Sequence, residues 1–115
     1  MKADRAAFLR EMHIRFPGAV AEISEYGAGL LHCEVAALRT YLEACLASKK
    51  EWECEQILSF VGELLPLADD ALANALLVSF LEDLALGSLS DEDKSILRQR
   101  APKDVLQHLR MHITL

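Results

Sequence analysis

Helical spacing of apolar residues dominates the chain and restricts its fold more than any other feature. Between Leu31 and Cys45, apolar side chains recur at intervals of four, three, four and three residues. This spacing places them along one side of an α-helix. No stretch keeps the alternation of apolar and polar residues that indicates a β-strand. The sequence therefore predicts an all-α fold.

Proline, glycine and capping residues divide the helical pattern into segments. Pro17 ends a first helix, Asp69 is placed to cap another, and Ser90 with Asp93 has the spacing of a capping box. The expected helices cover about 4–15, 30–48, 50–65, 69–87, 90–100 and 102 onward, with a short helical turn over 20–25. We expect a compact bundle of five or six antiparallel-packed helices. Stacked helix pairs resembling a small α-solenoid are the alternative.

A regular helical period also predicts which residues form the core. The expected centre of the core comprises Ile57, Val61, Leu64, Leu77, Phe80 and Leu84, with Leu31, Leu38 and Leu42 packed against them. On the helix over 69–87, the inward stripe also includes Ala73 and Leu81, and the opposite face carries Ala75, Ser79, Glu82 and Asp83.

Length and composition indicate one globular domain over residues 1–115. The chain is 52% hydrophobic and 26% charged, as in ordinary globular proteins. Its first residues do not resemble a secretory signal, and its longest uncharged run is too short to span a bilayer. Cys33, Cys45 and Cys54 have no metal-site or redox spacing, so we expect free thiols in the cytoplasm. They would serve as small apolar core residues.

Acidic residues are concentrated in one segment. Residues 51–93 contain eleven Asp and Glu and no Lys or Arg, whereas residues 94–115 contain five Lys and Arg and one Asp. The net charge of −6 disfavours nucleic acid as the main partner, because phosphates would be repelled. The pattern instead favours a basic protein partner.

Trp52 is the first candidate for a partner-binding residue. On a regular helix it lies nearly opposite Val61 and Leu64, so it would be exposed beside Glu55 and Glu63, with Glu51 as its neighbour. An exposed Trp with a charged rim is a typical interface anchor. The alternative is a partly buried Trp in an irregular first turn.

The helix over 69–87 supplies the other candidates. Asp69 and Asp70 lie at its start, where the helix dipole favours negative charge, but Glu82 and Asp83 lie in its last turns, where the dipole disfavours it. With Ser79 they would form a small-residue acidic face. This face is either a solvated surface or a contact for a basic partner.

Other chemistries have weaker signals. The chain contains no Gly-rich phosphate loop, GxSxG or HExxH motif, so we assign no catalytic residue and no cofactor. His108 and His112 could share a metal ion, but His32 with Cys33 is the only other cluster, and adjacent residues diverge on a helix. No metal site is assigned, and we expect neither a membrane nor a small-molecule ligand.

The basic block over 94–112 provides an alternative function. It predicts two short helices separated by Ala101 and Pro102, an arrangement that resembles a helix-turn-helix. The alternative is therefore a small DNA-binding regulator. Its basic residues could equally form a solvated face that neutralises nearby acid.

One stretch resembles a known group of proteins. LHCEVAALRTYLEACLASKKEWECEQILSFVGELL followed by DDALANALLVSFLEDLAL is similar to small all-α bacterial proteins in which a helix with a Leu-x-x-Glu start precedes a V-S-F-L-E-like motif. Here that motif is Val78 to Glu82. Such proteins often occur beside polymorphic or contact-delivered toxins and are taken to be their immunity partners. The resemblance covers about residues 30–86 and implies no catalytic residue. It implies a non-enzymatic immunity protein that binds a cognate toxin.

Overall fold

The computed structural model describes residues 2–115, which form seven helices. These are α1 (Arg5–Arg15), α2 (Pro17–Val20), α3 (Leu31–Ala47), α4 (Glu51–Leu64), α5 (Asp70–Ala75, Leu76–Glu82 and Asp83–Leu86), α6 (Asp91–Arg100) and α7 (Lys103–Arg110). A 3-10 turn, Leu65–Leu67, follows α4. Ala3 and Ala68 form one isolated bridge, and residues 2–115 contain no β-strand. The all-α prediction is confirmed, with seven helices instead of five or six.

Capping residues fix several of these boundaries as predicted. The Asp69 side chain accepts a hydrogen bond from the Leu72 N–H, and Ser90 with Asp93 forms a complete capping box. The predicted helical turn over 20–25 is misplaced, since the short helix begins at Pro17 instead. Proline suits the first turn of a helix because its missing N–H has no helical partner there.

A π-helical segment, Leu76–Glu82, shifts the inward face of α5. A uniform helical period predicts Leu77 inside, but Leu76 is fully buried and Leu77 is 37% exposed. Beyond the segment, Phe80 and Leu84 are buried as predicted. The i→i+5 bonding of a π segment accommodates an extra residue, so the buried stripe that ends at Leu84 begins one residue earlier than predicted.

The same shift corrects two other placements on α5. Ala75 and Ser79 are predicted on the exposed face, but Ala75 is fully buried and Ser79 is only 8% exposed. Only the Glu82 and Asp83 end of the predicted face remains at the surface.

The third helix is the centre of the bundle. It packs against α1, α2, α4, α5 and α6. A stack of helix pairs would make contacts only between neighbouring pairs along the chain, whereas α3 contacts α6 and α4 contacts α7, so the helices pack as a bundle and not as a stack of pairs. The predicted seam is confirmed from Val35 onward, because Val35, Leu38, Leu42 and Cys45 are all buried, whereas Leu31 at its start is half-buried against the core.

A buried carboxylate joins α1, α3 and the loop before α3. Glu34 accepts hydrogen bonds from Arg5 Nε and Nη2, both at 2.7 Å, and from the Gly29 N–H at 3.1 Å. Gly29 has a φ of +89°, which glycine adopts without strain. The Arg5 hydrogen bonds lower the pKa of Glu34, although burial opposes them. This interaction therefore stabilises the fold above the ordinary carboxyl pKa and is lost as pH falls through the lowered value.

Two of the three thiols belong to the core. Cys45 and Cys54 are buried, whereas Cys33 is exposed and corrects the prediction that all three are core residues. Burial raises the pKa of Cys54 to about 12, so this thiol stays protonated and unreactive.

The helices pack into a body with a radius of gyration of 13.0 Å. None of the helices in residues 2–115 is both long and apolar enough to cross a membrane. Gly62 allows α4 to approach α7, because a Cβ at this position would lie 3.2 Å from Val105 Cγ2.

Adjacent leucines in the π segment test the register of α5. We expect Leu76→Ala to lower the free energy of unfolding by about 2–5 kcal/mol, because Leu76 is a core residue. Leu77→Ala should cost less than about 1 kcal/mol, because Leu77 is partly exposed. Urea denaturation of both variants measures the difference. A larger loss for Leu77→Ala would restore the uniform helical period and contradict the π segment.

Candidate functional site

Trp52 lies on the exposed side of the first turn of α4. Its side chain is 66% exposed, which resolves the two alternatives in favour of exposure. It borders a hollow of about 160 Å³ that is also lined by Arg15, Phe16, Glu53 and Gln56. We call this the Trp52 hollow.

A second hollow lies farther along α4, between its last turns and α1. Its volume is about 190 Å³, and its lining residues are Glu11, Arg15, Phe60, Glu63, Leu64 and Leu67. We call it the Leu67 hollow, after an exposed leucine at its edge. Because Arg15 lines both hollows, they are two parts of one groove, the α1–α4 groove.

Three phenylalanines packed against one another support the groove. The Phe60 ring centroid lies 6.2 Å from that of Phe8 and 5.5 Å from that of Phe16. All three side chains are buried. Rings at these distances pack favourably and hold one another in place, so Phe60 gives the groove a well-supported apolar floor and Phe16 gives it an apolar wall.

Arg15 divides the groove. Its guanidinium carbon lies 5.3 Å from the Phe60 ring centroid, within the range of a cation–π contact. Its Nε donates to Glu11 Oε2 at 3.1 Å, and its Nη1 lies 3.6 Å from Glu63 Oε2. These carboxylates hold the guanidinium across the floor between the two hollows.

The predicted rim of Trp52 is wrong in composition. Glu51 and Glu55 point towards Arg100 of α6, with N–O distances of 3.5 and 4.0 Å. Glu63 belongs to the Leu67 hollow. The carboxylate that shares the Trp52 hollow is Glu53.

Ser79 connects α5 to α3. Its hydroxyl lies 2.6 Å from His32 Nδ1, and its carbonyl accepts a hydrogen bond from Arg39 Nη1 at 2.8 Å. Phe80 and Leu81 of the same V-S-F-L-E motif are core residues. In this structure the motif therefore forms the contact between α3 and α5, and Ser79 is not at the surface.

Arg39 also explains one of the two acidic residues at the unfavourable end of α5. Its Nη1 lies 3.0 Å from Asp83 Oδ2 and its Nε lies 3.5 Å from Glu43 Oε1. A cation at this position offsets the repulsion between Asp83 and the carboxyl end of the helix dipole. At the other end of α5, Asp69 serves as the N-cap.

The eleven acidic residues of the 51–93 segment thus fall into three groups: those in ion pairs, those that cap helices, and those with neither role. Those in ion pairs are Glu51, Glu55, Glu63, Asp83 and Glu92, the last with Lys49 at 2.8 Å. Asp69 and Asp93 cap helices. Within residues 2–115, Glu53, Asp70, Glu82 and Asp91 have neither role. Three of the predicted partner-binding residues therefore have no role in the fold of residues 2–115. Trp52 is exposed, and Asp70 and Glu82 neither form an ion pair nor cap a helix.

The remaining histidines and the basic block are dispersed. No group of three or more His, Cys, Asp or Glu suited to a metal ion occurs among the residues described. His112 lies beyond the end of α7, so the predicted pair does not share one helical face. In the basic block, Arg100 turns back towards α4.

Sequence reasoning identified Trp52 but not its surroundings. Arg15, Phe16 and Leu67 line the groove with it, yet they come from two parts of the chain, both distant from Trp52 in sequence. The short apolar turn after α4 contains Leu67, and Ala3 fixes it by accepting from the Asp69 N–H and donating to the Leu67 carbonyl, both at 2.7 Å. Leu67, which directly follows a proline, was the one feature of the local sequence that indicated this edge of the groove.

Comparison with known proteins places the chain in a family without assigning it an activity. The chain belongs to a family described as a domain of unknown function (DUF7674), whose model matches residues 9–113. No curated protein and no solved structure matches it.

Charge reversal at adjacent positions of α5 tests the role of Arg39. The helix dipole favours a cation at either position, so Glu82→Lys should leave the melting temperature unchanged or slightly higher. Asp83→Lys should lower the free energy of unfolding by about 1 kcal/mol, because it removes a carboxylate partner of Arg39 and adds a like charge. Thermal and urea denaturation at low salt give the comparison. Equal stability of the two variants would mean that the Arg39–Asp83 pair contributes nothing.

Proposed function

We propose that this chain is a non-enzymatic binding protein that neutralises a bacterial toxin in the cytoplasm. The partner is a cognate toxin with a basic cleft, and the chain occupies that cleft with an acidic helical surface. The toxin class rests on the resemblance of residues 30–86 to immunity-type proteins. The surface that makes the contact is the α1–α4 groove with Trp52.

The exposure of Trp52 is the observation that carries this proposal. A Trp side chain that is 66% exposed leaves a large apolar surface in water, which burial against a partner would remove. Trp is also the residue type most enriched among the dominant contacts of protein interfaces. The well-supported aromatic floor of the groove supports binding, because a preorganised surface loses little conformational entropy.

The distribution of charge supports a basic partner. Glu53 shares the hollow with Trp52 and forms no ion pair within residues 2–115. Glu11 and Glu63 lie in the adjoining hollow and share one guanidinium, Arg15. Complementary charge of this kind accelerates association with a cationic protein and selects against acidic ones.

The DNA-binding alternative has less support. Arg100, in the middle of the basic block, lies close to Glu51 and Glu55. The second helix of the block, α7, directs Val105 and Leu109 into the core and has only eight residues. No observation favours this alternative over a protein partner.

A toxin-protection assay tests the proposal. We predict that a reading frame next to the gene of this chain encodes the toxin. That toxin domain is co-expressed with the chain, and affinity for the purified toxin is measured by calorimetry. Trp52→Ala should weaken binding by about 2 kcal/mol or more, which corresponds to roughly 30-fold. Protection of the cell should fall accordingly.

Tyr26→Ala is the matched control, because Tyr26 is 90% exposed but lies in the loop before α3. This variant should bind and protect like the parent. The absence of toxin binding by the parent would refute the proposed function. Equal binding by the Trp52→Ala variant and its parent would move the contact elsewhere, first to the surface around Glu82.

A further inference from the structure

We propose that the α1–α4 groove binds an amphipathic, basic helical segment of the protein partner. Apolar side chains of that segment enter the two hollows, and its Lys or Arg side chains bind the carboxylates around them. This inference deepens the proposed function, on which it rests, by naming the kind of segment that is recognised.

The size of the hollows favours side chains as occupants. Their volumes of about 190 and 160 Å³ are below the roughly 300–1,000 Å³ typical of small-molecule sites. Each suits one or two apolar side chains. Two hollows in succession along one helix match the anchors that an amphipathic helix presents at i, i+3, i+4 and i+7.

The lining of the hollows is apolar where a side chain would enter. Leu64 and Leu67 form one wall of the Leu67 hollow, above the buried Phe60 ring. Phe16 and Trp52 form the corresponding walls of the Trp52 hollow. Leu67 and Trp52 are exposed, so both hollows gain apolar burial when they are filled.

The charge around the groove specifies a cationic segment. Three carboxylates, Glu11, Glu53 and Glu63, line it together with one guanidinium, Arg15. A second copy of this chain would present the same excess of negative charge, which disfavours self-association through this face.

Arg15 crosses the groove and must move when a segment binds along its whole length. Its contacts with Glu11 and Glu63 are solvent-exposed ion pairs, which are weak. A cation of the partner can replace Arg15 at Glu63. Arg15 therefore reports directly on occupation of the groove.

The experiment uses the ¹⁵N-labelled full chain and a synthetic peptide of about 14 residues. The peptide has Leu at i, i+3, i+4 and i+7 and Lys elsewhere, as in helix-in-groove ligands. We expect saturable shifts of the Trp52 indole N–H and the Arg15 Nε–H NMR signals. The Arg39 Nε–H signal, from α3, should not shift. Control peptides with Glu for Lys, or Ser for Leu, should bind at least about tenfold more weakly.

Matched variants of the chain separate the groove from general charge attraction. Leu67→Asp and Glu63→Lys should each weaken peptide binding about tenfold. Leu86→Asp and Glu82→Lys should change it less than about twofold, because Leu86 is as exposed as Leu67, at 63% against 58%, and neither control residue lines the groove. Unchanged melting temperatures of the variants establish that they fold.

Several outcomes would overturn the inference. The first is an equal loss of peptide affinity in a groove variant and in its matched control. The second is equal affinity for the Ser-for-Leu peptide and the Leu peptide. The third is dimerisation of the chain that shifts the Trp52 and Arg15 signals without peptide. If the peptide fails but toxin still binds the Leu67→Asp variant, the groove is wrong and the proposed function stands. If the peptide binds the groove but no toxin binds, the proposed function fails and the groove stands.

Discussion

The carboxylates of residues 51–93 have no Lys or Arg within their own segment, so every ion pair they form joins this segment to another part of the chain. Arg15 reaches α4 from α1, Arg39 reaches α5 from α3, and Arg100 reaches α4 from α6. Lys49 reaches the start of α6. Pairing between elements of the fold thus occupies five of the eleven acidic residues in this segment.

These pairs contribute little to the stability of the fold. Solvent-exposed ion pairs contribute about 0.2–1 kcal/mol each, whereas each large core side chain contributes several times as much. The core around α3 therefore holds the bundle together. Some carboxylates are paired with cations of the chain itself through these ion pairs. The others, Glu53 beside Trp52 in particular, are available to the proposed partner.

The sequence predicted the helices well because helix caps and helical periodicity depend on residues that are close together in the chain. The caps at Asp69 and Ser90 depend on backbone N–H groups three residues later, which donate to the capping side chains, and the seam of α3 depends on one helical period. The register of α5 could not be predicted in this way. The π segment packs against α3, and its Ser79 carbonyl accepts a hydrogen bond from Arg39, a contact that no pattern within α5 records.

The candidate site was predictable only in part for the same reason. The helical phase of α4 placed Trp52 outward, but helical phase does not reveal which helix lies beside it. Phe16 is a core residue by its spacing, and only the packing of α1 against α4 turns its ring into a wall of the groove. The sequence likewise presents Asp83 as a free acid, because its partner, Arg39, lies 44 positions earlier in the chain.

The central claim is that the partner covers the α1–α4 groove. Hydroxyl-radical footprinting of the chain, free and saturated with the purified toxin, measures this through side-chain oxidation. Tyr26 and Met111 are exposed residues outside the groove and serve as internal references. We predict that oxidation of Trp52 falls several-fold in the complex while oxidation of both references is unchanged. Trp52 oxidised equally in both states would contradict this claim.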